Sequence, residues 1–78
     1  MARLTLVTTK DCHLCGEARD QMRRVSEESG EPWEEKDVAD DRELLVEYGD
    51  RLPVVLLDGR EHGYWTVDRE RLLKDLSS

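Results

Sequence analysis

The 78-residue chain reads as an α/β protein, with three helices layered about a mixed four-stranded sheet in the order β-α-β-α-β-β-α. Three observations predict this. Apolar positions switch between short runs of strand length and stripes at helical spacing. A strand–helix–strand beginning implies a right-handed parallel crossover. Asp58-Gly59, between two strand-like runs, is a hairpin signal that adds an antiparallel pair. The length allows one domain, 1–78, with a small core. Three layers cover both faces of the sheet in so short a chain.

Each element has its own justification. Residues 3–8, RLTLVT, mix alternation with β-branched side chains and predict a strand. Cys15, Ala18, Met22 and Val25 then form one helical stripe, with Glu17, Arg19, Asp20, Arg23, Arg24, Glu27 and Glu28 opposite. Asp11 is a good N-cap type, which places the helix start at Cys12. Ser29-Gly30 ends the helix, with Gly30 at C′. After Pro32, PWEEKDV predicts an edge strand with little apolar cover. Asp40 or Asp41 caps a short helix through Tyr48, closed by Gly49, with Leu44, Leu45 and Tyr48 as its apolar face. Val54–Leu57 is continuously apolar, as in a strand covered on both faces, and REHGYW returns beside it. The last helix runs from about Val67 to Leu76, capped by Thr66 or Asp68, and buries Val67, Leu72, Leu73 and Leu76. There is no internal repeat and no linker.

Apolar residues make up 37% and charged residues 40%, with a formal charge of −7. This balance argues against nucleic acid, whose binding needs Lys and Arg to neutralise phosphates. It is read as solubility or as a docking surface for a basic partner. No apolar run approaches the ~20 residues of a membrane span. MARLTLVTT lacks the h-region and cleavage site of a signal peptide, so the cytoplasm is the expected compartment. Thiols there are kept reduced, and a cysteine pair is more often catalytic or metal-binding than a structural staple. The chain has two cysteines, which excludes a disulfide framework.

Those two, Cys12 and Cys15, stand where the first strand gives way to the first helix. Unpaired amides and the helix dipole favour a thiolate there, so the Cys12 pKa is expected below that of a free thiol. Lys10 and His13 add positive charge nearby and Asp11 opposes it. Cys15, one turn further on the apolar stripe, is expected to be less exposed and the poorer nucleophile. The asymmetry suits thiol–disulfide exchange, with Cys12 attacking a substrate disulfide and Cys15 resolving the mixed disulfide. Two alternatives remain open. The pair is half of a metal site for zinc, copper(I) or an iron–sulfur cluster, completed by His13 or His62 or by a second chain in a dimer. Or the cysteines are idle, with Cys15 as core filler, in an adaptor.

The motif and the element order together resemble the glutaredoxin-like proteins of the thioredoxin-fold superfamily, in particular the small bacterial C-x-x-C type. TTKDCHLC after a first strand carries the likeness, as do DVADDRELLVEYGDRLPVVLLDG and a C-terminal helix after a hairpin. The resemblance implies a thioredoxin-like α/β/α fold and a dithiol oxidoreductase acting on protein or low-molecular-weight disulfides. No cofactor is built in. It implies a cis Leu52–Pro53 bond facing the cysteines, with the Leu52 backbone presented to an extended substrate. Lys10 and His13 join Leu52 and Pro53 as expected substrate contacts. The chain departs from the family at several positions. His13-Leu14 replaces Pro-Tyr between the cysteines, EHGYWTVD replaces the Gly-Gly-Asp that helps hold glutathione, and Thr9 stands at the usual basic position. The electron donor is therefore left as glutathione, another thiol or a reductase. His62, Tyr64 and Trp65 lie in the region flanking the groove. They are read either as lining a substrate or thiol pocket, or as two rings packed over the last helix beside a solvated His62. Trp33 is expected to pack at the core or edge. Arg51 attracts an acidic substrate or offsets Asp50.

Overall fold

The computed structural model describes residues 3–10 and 12–77. Its elements are β1 (Leu4–Thr8), α1 (Cys15–Ser29), β2 (Trp33–Asp37), a 3-10 turn (Val38–Asp40), α2 (Arg42–Tyr48), β3 (Val54–Leu57), β4 (Arg60–Tyr64) and α3 (Arg69–Leu76). The strand order is β2-β1-β3-β4, with β1 parallel to β2, and β3 antiparallel to both β1 and β4. Element order and mixed sheet are those the sequence predicts.

The two-residue period of the strands divides the core in two. On one face Leu4, Leu6 and Val55 meet Ala18, Met22 and Val25 of α1 and Leu72 and Leu76 of α3, with Trp33 packed alongside. On the other, Val7, Val54 and Leu56 meet Val38, with Leu44, Tyr48 and Leu52 against them. β1 and β3 lie in the middle of the sheet, so both need apolar residues on both faces. β2 is an edge strand and leaves Glu34, Glu35 and Lys36 exposed.

Local chemistry sets the boundaries. Gly30 closes α1 at φ +76, a left-handed conformation that glycine adopts without steric cost. Asp58 and Gly59 both have positive φ, as a type I′ hairpin requires. Asp41 caps α2 by accepting from the amides of Glu43 and Leu44. Asp68, rather than Thr66, caps α3 by accepting from the amide of Arg71.

Three expectations are corrected. α1 begins at Cys15, with Leu14 at the N-cap position, so Cys12 lies in the turn before the helix. The buried stripe itself begins at Cys15. The expected Asp11 cap lies outside the described residues. Val67 precedes α3 yet packs in the same cluster as Leu72, as a hydrophobic staple does. Leu45 is half exposed, because a seven-residue helix offers the sheet only the row of Leu44 and Tyr48. Among the described residues no helix is long and apolar enough to cross a membrane.

Candidate active site

The sheet register gathers the chemistry at one end. Thr8, at the end of β1, pairs with Asp37, at the end of β2. Val7 pairs with Val54, and Val54 with Tyr64. The exit from β1 toward Cys12, the entry to β3 through Pro53 and the exit from β4 into Trp65 therefore share one edge of the molecule.

Cys12 and Cys15 form a disulfide, with Cα atoms 5.4 Å apart. Their environments differ. Cys12 is partly exposed in the lead-in turn, while Cys15 is 1% exposed on the core side of α1. The first α1 backbone bond runs from the Ala18 amide to the Leu14 carbonyl. The preceding amides of the first turn lack an intrahelical acceptor by construction. They lie beside the Cys12 turn and carry the positive end of the helix dipole. Lys10 and His13 are exposed on either side of Cys12. Leu14, between the cysteines, is 43% exposed despite its apolar side chain.

The Leu52–Pro53 bond is cis. Pro53 is fully buried, and its carbonyl accepts from the Trp65 amide at 2.7 Å. That bond ties the β4–α3 turn to the head of β3. Leu52 is half-buried and packs on the α2 side of the sheet.

A polar network missing from the sequence reading lies on the α1 face at the same end. Thr8 is fully buried, and its hydroxyl donates to Glu35 Oε2 at 2.9 Å. Arg19 donates to both Glu35 oxygens, at 2.7 and 2.9 Å. The Arg19 hydrogen bonds, aided by that of Thr8, hold the Glu35 carboxyl below its ordinary range, although partial burial acts the other way. The available signal was faint: Arg19 lies four residues after Cys15, and the strand residue pointing toward α1 is acidic.

His62 is not solvated. Register shifts between Val55, paired with Gly63, and Leu56, paired with Glu61, leaving His62 as the bulged residue. Its side chain is 7% exposed and lies 2.7 Å from Asp75 on α3. Tyr64 and Trp65 both keep much of their surface exposed. They are 47% and 55% exposed, and their rings meet edge to face at 5.0 Å. Trp65 has φ +69, a strained conformation for a bulky residue. Trp65 and Leu14 line a cleft of about 340 Å³ between the start of α1 and the turn into α3. Arg51 is occupied by Glu61 and Asp50 and lies over the Tyr48 ring, so it offsets local acids. Among the described residues no cluster of three or more His, Cys, Asp or Glu is placed to hold a metal ion.

Such a site can store two electrons as a dithiol or release them as a disulfide, with one sulfur at the surface and one shielded. Two uncharacterized proteins, from Mycobacterium tuberculosis and Mycobacterium bovis, are each 41% identical over 96% of this chain and 82% of their own length. The crystal structure of a structural-genomics target protein from X. campestris matches with TM-score 0.72 and 33% identity, covering 95% of both chains. A mutant thioredoxin from Halobacterium salinarum matches at TM-score 0.59 and 20% identity, covering 97% of this chain and 74% of its own, and shares the fold. The model of the glutaredoxin-like domain (DUF836) matches residues 3–77, and the chain belongs to that family.

Proposed function

We propose that the chain is a dithiol–disulfide oxidoreductase that reduces or exchanges disulfides of proteins or small thiols in the cytoplasm. One observation carries this reading: the bonded pair Cys12–Cys15 combines a partly exposed sulfur with one that is 1% exposed. In the reduced protein, the Cys12 thiolate attacks one sulfur of the substrate disulfide. A Cys12–substrate bond forms, and the other substrate sulfur leaves as a thiolate and takes up a proton. Cys15 then loses its proton and attacks Cys12. The Cys12–Cys15 bond forms, and the second substrate thiol departs. The substrate gains two electrons and two protons, and the protein gives them up. Glutathione, another low-molecular-weight thiol or a reductase restores the dithiol. Leu52 and Pro53 position the substrate, its extended backbone lying along Leu52. Lys10 and His13 favour the Cys12 thiolate and contact the substrate.

The test uses the reduced protein with a neutral hydroxyethyl disulfide, followed by mass spectrometry. Cys12→Ser is expected to abolish reduction, while Cys15→Ser accumulates a mixed disulfide on Cys12. The rate of Cys12 alkylation is expected to inflect below the ~8.5 of a free thiol, as a helix amino end dictates. Equal alkylation of the two cysteines, or a mixed disulfide on Cys15, would sink the assignment.

A further inference from the structure

The bonded cysteines are carried by two different arms. Cys12 follows β1, four residues beyond Thr8, and Cys15 opens α1, four residues before Arg19. Both arms end on one carboxylate. The Thr8 hydroxyl donates to Glu35 Oε2 at 2.9 Å, and Arg19 donates to both Glu35 oxygens at 2.7 and 2.9 Å. Glu35 stands on β2, paired with Leu6, so the acceptor belongs to neither arm. Among the described residues, the Arg19–Glu35 pair is the one side-chain hydrogen bond or ion pair that fastens α1 to the sheet.

Two features make this network specific in geometry. Thr8 is fully buried, and a buried hydroxyl left without a partner is costly, so Thr8 holds Glu35 in place. The fork of Arg19 on the carboxylate is bidentate, which fixes orientation as well as distance. The exchange chemistry uses none of these three side chains, and none belongs to either apolar cluster. Reduction removes the covalent link between the arms. The fold around them then decides how well the two sulfurs are placed to bond again, and good placement favours closure. A contact that holds the arms in the bonded arrangement and the bond itself reinforce each other by the same factor in both directions.

We propose that Thr8, Glu35 and Arg19 form a clasp that positions Cys15 against Cys12 in the dithiol and so sets the reduction potential of the pair. All three are positioning residues, and none takes part in bond making. The inference rests on the dithiol reading above and adds what tunes it. The Arg19–Glu35 pair is about a third exposed, so solvent limits its effect to less than about fivefold.

The test is a redox titration of the whole chain against glutathione and glutathione disulfide, with the oxidised fraction read by alkylation and mass spectrometry. In that exchange the protein dithiol gives two electrons and two protons to one glutathione disulfide, forming the protein disulfide and two glutathione thiols. Glu35→Ala and, separately, Arg19→Met are each expected to make the protein disulfide about threefold easier to reduce. That is a rise of about 14 mV, at about 30 mV per tenfold change. Thr8→Val should shift the same way, while Thr8→Ser keeps the hydroxyl and the wild-type value. Glu35→Ala should also raise the unfolding constant of the oxidised protein about threefold more than that of the reduced protein. Val25→Ala, further along α1, is the control for general loss of stability: it melts lower and keeps the wild-type potential. If Thr8→Val does not fold, the other variants decide. Unchanged potentials in Glu35→Ala and Arg19→Met, or an equal shift in Val25→Ala, overturn the clasp and leave the redox reading intact. Opposite shifts in Glu35→Ala and Arg19→Met also overturn it, because they would show charge acting on the thiolates rather than position. Failure of the wild-type pair to exchange reversibly with the glutathione couple overturns both.

Discussion

Met22 sits in the middle of the α1 stripe with no exposed surface, against β1 and α3. Truncating it removes transfer free energy and leaves a cavity that a small core cannot close by collapse. Met22→Ala is expected to cost about 2–5 kcal/mol in denaturant unfolding. Glu35 behaves differently because it titrates. Its carboxyl is depressed chiefly by the Arg19 hydrogen bonds. A group depressed in the folded state adds stability that is complete above its unfolded value and is lost as pH falls through the folded one. Both side chains of the pair are about a third exposed, so solvent screens the interaction. Glu35→Gln is expected to lower stability at pH 7 by less than about 1 kcal/mol. The gap to wild type should shrink as pH drops below the ~4.3 of an ordinary glutamate. A gap that stays constant down to strong acid would show that ionisation of Glu35 contributes nothing.

At the scale of elements, α2 depends on its two ends, because seven residues are too few for an isolated helix to be stable. Asp41 satisfies two first-turn amides. Asp41→Ala is expected to cost about 1 kcal/mol in thermal or denaturant melts. Gly49 ends the helix at a negative φ, so its role is not left-handed geometry. A Cβ there would collide with the Leu45 carbonyl, which is backbone and cannot move aside cheaply. Gly49→Ala is therefore expected to destabilise by about 1–3 kcal/mol, the usual range for forced overpacking. An unchanged melting point would mean that the end of α2 yields freely. The sequence marked both ends correctly, since an acidic cap and a glycine stop are local signals. It misjudged Leu45, whose exposure depends on how the helix is rolled against β1 and β3.

For the whole molecule, the two apolar clusters on either face of the sheet hold the fold, and the cysteine bond closes only the short turn into α1. In a chain-entropy model so short a loop contributes at most about 2 kcal/mol. Reduced protein is expected to keep its far-UV dichroism and melt cooperatively, at a temperature lower by no more than about 15 °C. Loss of the cooperative transition on reduction would mean that the bond, rather than the core, holds the structure. Element order, the hairpin at Asp58-Gly59, the helix stop at Gly30 and the place of Cys12 and Cys15 at the strand-to-helix junction were all legible in the amino-acid string. Each depends on side-chain period or backbone conformation within a few neighbouring residues. Tertiary structure alone decided that α1 begins at Cys15, that Glu35 joins Thr8 to Arg19, that a bulge turns His62 onto Asp75, and that Trp65 and Leu14 line one cleft. Those outcomes depend on strand register and layer packing, which bring together residues far apart in the chain, and no local pattern encodes which partners will meet.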